Sequence, residues 1–123
     1  MEKEKFSLRK RAKSFHFAFN GMYQFFSTQH NAIIHAFATA VVIVLSVIIK
    51  LPLTSFLFIV VATGLVWMAE LFNTAIEKLC DMVCPKQHPQ IKFIKDVSAA
   101  AVLVTALVAV ITACIIFIPA LLW

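Results

Sequence analysis

Glu70, Asn73, Glu77 and Asp81 are the residues of this chain best suited to chemistry. They follow the apolar run that ends Trp67-Met68-Ala69. Offsets of three, seven and eleven residues from Glu70 hold all four in a narrow sector of a helix at about 100° per residue. The chain has 6 acidic residues, and Glu2 and Glu4 stand at its start. No acid occurs from Lys5 to Ala69, so Glu70, Glu77, Asp81 and Asp96 complete the set. Carboxylates at membrane depth are costly unless paired, neutral or metal-bound. Glu70, the deepest, is a candidate general base able to take a proton from a hydroxyl. Glu77 lies two turns nearer water and offers, with Asn73, hard oxygen ligands for a magnesium ion that bridges phosphates. Lys95 can neutralise phosphate oxygens as a point charge, and Asp96 can hold a lysine or a metal. A structural reading stands beside each of these. Buried Asn and Glu also join helices, and Asp81 or Asp96 can pair with Lys78 or Lys95. By the same reading His35 is a hydrogen-bonded packing residue and His88 a solvated loop residue.

The elements that position these groups follow from composition. The 123 residues are 62% hydrophobic and 14% charged. A soluble domain of this size has too little interior for that much apolar surface. The expected fold is therefore an all-α membrane protein, one domain over 1–123, with an N-terminal amphipathic surface helix and three transmembrane helices. Gly21 and Gly64 are the only glycines, which excludes a glycine-rich phosphate loop. Cys80, Cys84 and Cys114 form no CxxC pair and read as small buried packing residues. The net charge of +5 is concentrated in Lys3, Lys5, Arg9, Lys10, Arg11 and Lys13 and in Lys78, Lys86, Lys92 and Lys95. So apolar a chain is a partner for anionic lipid headgroups, not for nucleic acid. The charged N-terminus leads into an amphipathic stretch, so no cleavable signal peptide is expected.

Residues 6–28 read as an interfacial helix, with Leu8, Ala12, Phe15, Phe19, Met22 and Phe26 on one stripe. The first span is expected over 31–51, and Pro52 breaks the chain after it. The second helix is expected over 55–83, spanning first and then emerging through the acidic stripe. After a polar loop a third runs over 91–118, to Pro119, and crosses from about Val97. Basic residues flanking the first and third spans predict a cytoplasmic N-terminus and an outside C-terminus. Glu70, Glu77, Lys95 and Asp96 then meet at the cytoplasmic interface, where a soluble anion could reach a lipid.

The segments Ala69-Glu70-Leu71-Phe72-Asn73-Thr74-Ala75-Ile76-Glu77, Asp81 and Lys95-Asp96-Val97-Ser98-Ala99-Ala100-Ala101-Val102-Leu103 resemble the prokaryotic diacylglycerol kinase and undecaprenol kinase family. Ala18-Phe19-Asn20-Gly21 and Lys86-Gln87-His88-Pro89 extend the likeness over nearly the whole chain. The resemblance implies a small homotrimeric lipid kinase that uses magnesium to move the ATP γ-phosphoryl group onto a membrane lipid alcohol. It assigns Glu70 as catalytic base, Glu77 and position 29 as metal ligands, and Asn73 and Asp81 as supporting polar groups. ATP contacts would fall on Lys10, Phe17, Gln29, Glu77, Lys86, Gln87, His88, Lys95 and Asp96. One segment departs. Where the family reads E-x-N-x-R-x-H, this chain reads Gln29-His30-Asn31-Ala32-Ile33-Ile34-His35. Gln29 keeps a carbonyl oxygen but lacks the glutamate charge. The consequences to weigh are weaker magnesium affinity, a ligand supplied by His30, or a low-activity homologue acting as a structural oligomer. A proton-linked transporter is a third reading, but no second acid lies deep in a span. Diacylglycerol and undecaprenol both stay open as acceptors.

Overall fold

The computed structural model describes residues 4–123. Glu2 and Lys3 of the charged N-terminus lie outside the described residues. Four helices follow in order: α1 (Leu8–Thr28), α2 (His30–Ile48), α3 (Leu53–Val83) and α4 (Pro89–Leu122). The expected all-α architecture holds, and α2, α3 and α4 are each long and apolar enough to cross a membrane. The chain divides into two compact units, one ending at Ile33 and the other running Ile34–Trp123.

In the N-terminal unit, Ser7 caps α1 by accepting the Lys10 backbone N–H at 3.4 Å, the ordinary role of serine before a first turn. The helix therefore begins at Leu8, the first residue of the apolar stripe and two residues after the expected start. Leu8, Phe15 and Phe19 are exposed, as a membrane-facing stripe requires. The buried aromatic is Phe25, one position off that stripe, with its ring edge-on to Phe26 at 5.9 Å.

In the second unit, α3 and α4 form the main helix pair. A five-residue connection joins them, which makes an antiparallel hairpin. α3 has 31 residues, about 46 Å at 1.5 Å per residue. That exceeds a hydrocarbon core of about 30 Å. α3 thus carries its acidic stripe beyond its apolar half without a break.

Helix ends differ from expectation in the second unit as well, and α3 begins at Leu53, directly after Pro52, where 55 was expected. α2 stops at Ile48 because Lys50 adopts the left-handed region, φ 54°. Leu51 N–H then reaches Ser46 O at 3.0 Å, and Lys50 N–H reaches Val47 O at 3.1 Å. This is a Schellman cap with lysine where glycine is usual. α4 starts at Pro89, before the expected Ile91, because His88 is its N-cap and its Nδ1 accepts the Gln90 N–H at 3.2 Å. Proline fits the first helical position, where its missing N–H has no partner to lose. α4 also runs past Pro119 to Leu122. Pro119 removes one donor, yet the following turn closes through Trp123 N–H to Pro119 O at 3.1 Å. The cysteine reading holds for buried Cys80 alone. Cys114 is exposed, and Cys84, half-buried at the end of α3, directs its thiol to Lys86 O at 3.4 Å.

Candidate active site

The stripe on α3 divides its partners between two helices. Glu70 is buried, with 4% of its surface exposed. From α2, His35 Nε2 lies 2.7 Å from Glu70 Oε1. Burying a carboxylate without a donor is expensive, so this contact is what makes the position tolerable. One turn on, Asn73 turns to α4, where the Ser98 hydroxyl donates to Asn73 Oδ1 at 2.7 Å. That leaves the Asn73 amide N–H directed at Glu77 Oε1, 3.5 Å away. Farther on, Lys95 of α4 donates to Asp81 Oδ1 at 2.6 Å. Lys92 pairs with Asp96 within a single turn of α4.

Antiparallel packing explains the order. As α3 runs from Asn73 to Asp81, α4 runs back from Ser98 to Lys95, so neighbouring turns face each other. Ser98 is buried and His35 half-buried. Sequence reasoning gave neither a role in the site. Ser98 stands in a run of alanines, and His35 lies 35 residues from the carboxylate it meets.

Past the acidic stripe, the end of α3, the connecting loop and the start of α4 enclose a concavity of about 650 Å³. Five of the residues expected to contact nucleotide line it: Lys86, Gln87, His88, Lys95 and Asp96. Lys92 adds a further ammonium to the wall, and Asp81 closes one side. The hydrogen bond to Asp81 raises the Lys95 ammonium above the usual lysine range, so Lys95 is charged at any neutral pH. Both ion pairs are partly exposed. Solvent and salt screen such pairs, so they contribute little to stability. They can therefore hold the lysines in place and still be exchanged when a polyanion arrives.

Lys10, Phe17 and Gln29 belong to the N-terminal unit. Lys10 donates to Glu4 Oε1 at 2.7 Å, and Phe17 is exposed. Gln29 terminates α1, its backbone N–H bonded to Phe25 O at 3.0 Å and its side-chain amide 3.5 Å from Thr28 Oγ1. Among the described residues no three His, Cys, Asp or Glu side chains cluster as a metal cage. Magnesium does not need one, because it is commonly held by one or two carboxylates together with water and substrate phosphates. The half-buried Glu77 carboxylate fits that requirement, with the Asn73 amide 3.5 Å from one of its oxygens.

A buried carboxylate, a second carboxylate two turns away and a lysine-lined hollow beyond them are parts suited to phosphoryl transfer at a membrane surface. Comparison with known proteins agrees. The family model for prokaryotic diacylglycerol kinase matches residues 16–117. An undecaprenol kinase of Bacillus subtilis is 35% identical over 109 residues, covering 89% of each chain. A diacylglycerol kinase of Synechocystis is 36% identical over 110 residues, covering 89% of this chain and 63% of that one. The chain belongs to the prokaryotic diacylglycerol kinase family and, as a member, is a lipid kinase.

Proposed function

We propose that this protein phosphorylates a membrane lipid alcohol with ATP, using Glu70 as general base. The observation that carries the reading is a buried carboxylate at the inner end of a polar stripe that leads to a lysine-lined hollow. In the reaction the lipid hydroxyl gives its proton to Glu70. Its oxygen bonds to the γ-phosphorus, and the bond from that phosphorus to the β,γ-bridging oxygen breaks to release ADP. Lys86, Lys92 and Lys95 supply positive charge for the polyphosphate, and Gln87 and His88 line its approach. Glu77, beside the Asn73 amide that Ser98 holds, would hold magnesium. When bound, the ion neutralises charge developing on the transferred phosphoryl group.

The names of the relatives supply two acceptor classes, a prenol and diacylglycerol. Coverage of 89% of both chains in the undecaprenol kinase comparison makes the prenol the first acceptor to test. A homotrimer is the assembly we expect. Only 6% of the residues in the most apolar window of α4 are buried within one chain, which leaves surface for other copies or for lipid. The basic residues flanking the first and third spans support a cytoplasmic N-terminus and an outside C-terminus in the inner membrane.

The test is transfer of labelled γ-phosphate to undecaprenol and to diacylglycerol in one detergent, with magnesium, for wild type and Glu70→Gln. Labelled lipid from wild type, with a loss of about 10²–10⁴-fold in Glu70→Gln, is expected. Equal turnover by Glu70→Gln overturns the base assignment. No label from intact wild-type oligomers favours the structural-oligomer reading.

A further inference from the structure

Glu70 has two carboxylate oxygens, and the surroundings treat them differently. Oε1 faces His35 Nε2 at 2.7 Å. Both the neutral tautomer protonated at Nε2 and the imidazolium present a donor at that nitrogen. The imidazole is itself held. The Trp67 ring lies edge-on to it at 6.3 Å and 62°. Trp67 Nε1–H donates to Thr39 Oγ1 at 3.0 Å, and the Thr39 hydroxyl donates to the His35 carbonyl at 2.7 Å. Trp67 stands one turn before Glu70 on α3, and Thr39 one turn after His35 on α2. The Trp67 ring thus packs against the imidazole and is itself tied to α2 through Thr39, so residues of the same two helices support the donor to Glu70.

We propose that His35 is a positioning residue for the proposed base: its Nε2–H fixes Glu70 Oε1 and directs Oε2 at the lipid hydroxyl. This rests on the base assignment for Glu70. A general base works only within hydrogen-bond reach of the proton it takes, so a carboxylate free to rotate loses productive geometry. An imidazole bonded to a base oxygen removes that freedom without touching substrate. A simple staple between α2 and α3 would instead contribute to stability alone, and the two roles make different kinetic predictions.

Gln and Asn at position 35 separate them, because the Gln amide nitrogen falls near the place of Nε2 whereas the shorter Asn amide does not reach it. Turnover is measured at saturating lipid and ATP for wild type, Glu70→Gln, His35→Gln and His35→Asn, with oligomer integrity checked for each. His35→Asn should lower kcat about 10- to 100-fold, the loss of one hydrogen bond to a charged group. The KM for ATP should stay within about twofold, because the bond acts on the base and not on the nucleotide. His35→Gln should recover most of kcat. Equal kcat in His35→Asn and His35→Gln, with Glu70→Gln inactive, overturns the positioning role and leaves the base intact. Full turnover by Glu70→Gln overturns both. His35→Leu serves as a check on folding: an unfolded Leu variant beside a folded, slow Asn variant still supports positioning.

Discussion

At the scale of single residues, the acidic stripe is four sites with four distinct partners. Glu70 meets His35, Asn73 meets Ser98, Glu77 meets Asn73, and Asp81 meets Lys95. Types and spacing of the first members were legible, because a helix of known period fixes which side chains share a face. The partners of Glu70 and Asn73 were not, since His35 and Ser98 sit on other helices and depend on how those helices register. The structural reading of Asp81 holds in the geometry, which pairs it with Lys95 as one of the two expected alternatives. Position 29 carries the residue-scale prediction. The family pattern implies a metal ligand there; a carboxylate would add a full negative charge that Gln29 lacks, and a charge near a divalent cation is worth at least about tenfold in affinity at short range. Gln29→Glu should therefore lower the magnesium concentration for half-maximal activity by roughly tenfold or more. A magnesium titration that superimposes on wild type would rule out weakened metal binding as the consequence of this departure.

At the scale of elements, the ends of the helices hold the surprises. Apolar runs mark spans well, but termination depends on caps, and caps are single hydrogen bonds that hydropathy does not register. His88 was legible as a loop residue near a proline; its Nδ1 makes it the start of α4 instead. Lys50 closes α2 in the left-handed region, which costs a residue with a Cβ about 1–2 kcal/mol relative to glycine. Lys50→Gly should raise stability, by about 1 kcal/mol once the greater freedom of the unfolded glycine is subtracted. Denaturant titration in detergent checks the sign. A loss of stability would show that the lysine side chain contributes something the cap geometry does not reveal.

At the scale of the whole molecule, one chain leaves its spans mostly uncovered. Only 11%, 22% and 6% of the residues in the apolar windows of α2, α3 and α4 are buried within it, which leaves surface on each for lipid or further copies. The polar network, by contrast, is satisfied inside one chain: no buried side-chain nitrogen or oxygen among the described residues lacks a partner. The expected assembly, a homotrimer, should give three times the 13.8 kDa chain mass after detergent correction in light scattering. A monodisperse monomer with full kinase activity would remove the trimer from the account.

Composition and period by themselves determined that this is a helical membrane protein, with one surface helix, three spans and an acid-bearing helix that leaves the apolar layer. Those properties are sums over local preferences, and no distant contact can reverse them in so apolar a chain. Tertiary structure alone decided which oxygen of Glu70 is occupied, which helix serves Asn73, and that Lys86, Lys92 and Lys95 share one hollow. The reason is geometric. Partner choice across helices depends on their relative rotation and offset, and loop closure and side-chain packing set both after the helices exist.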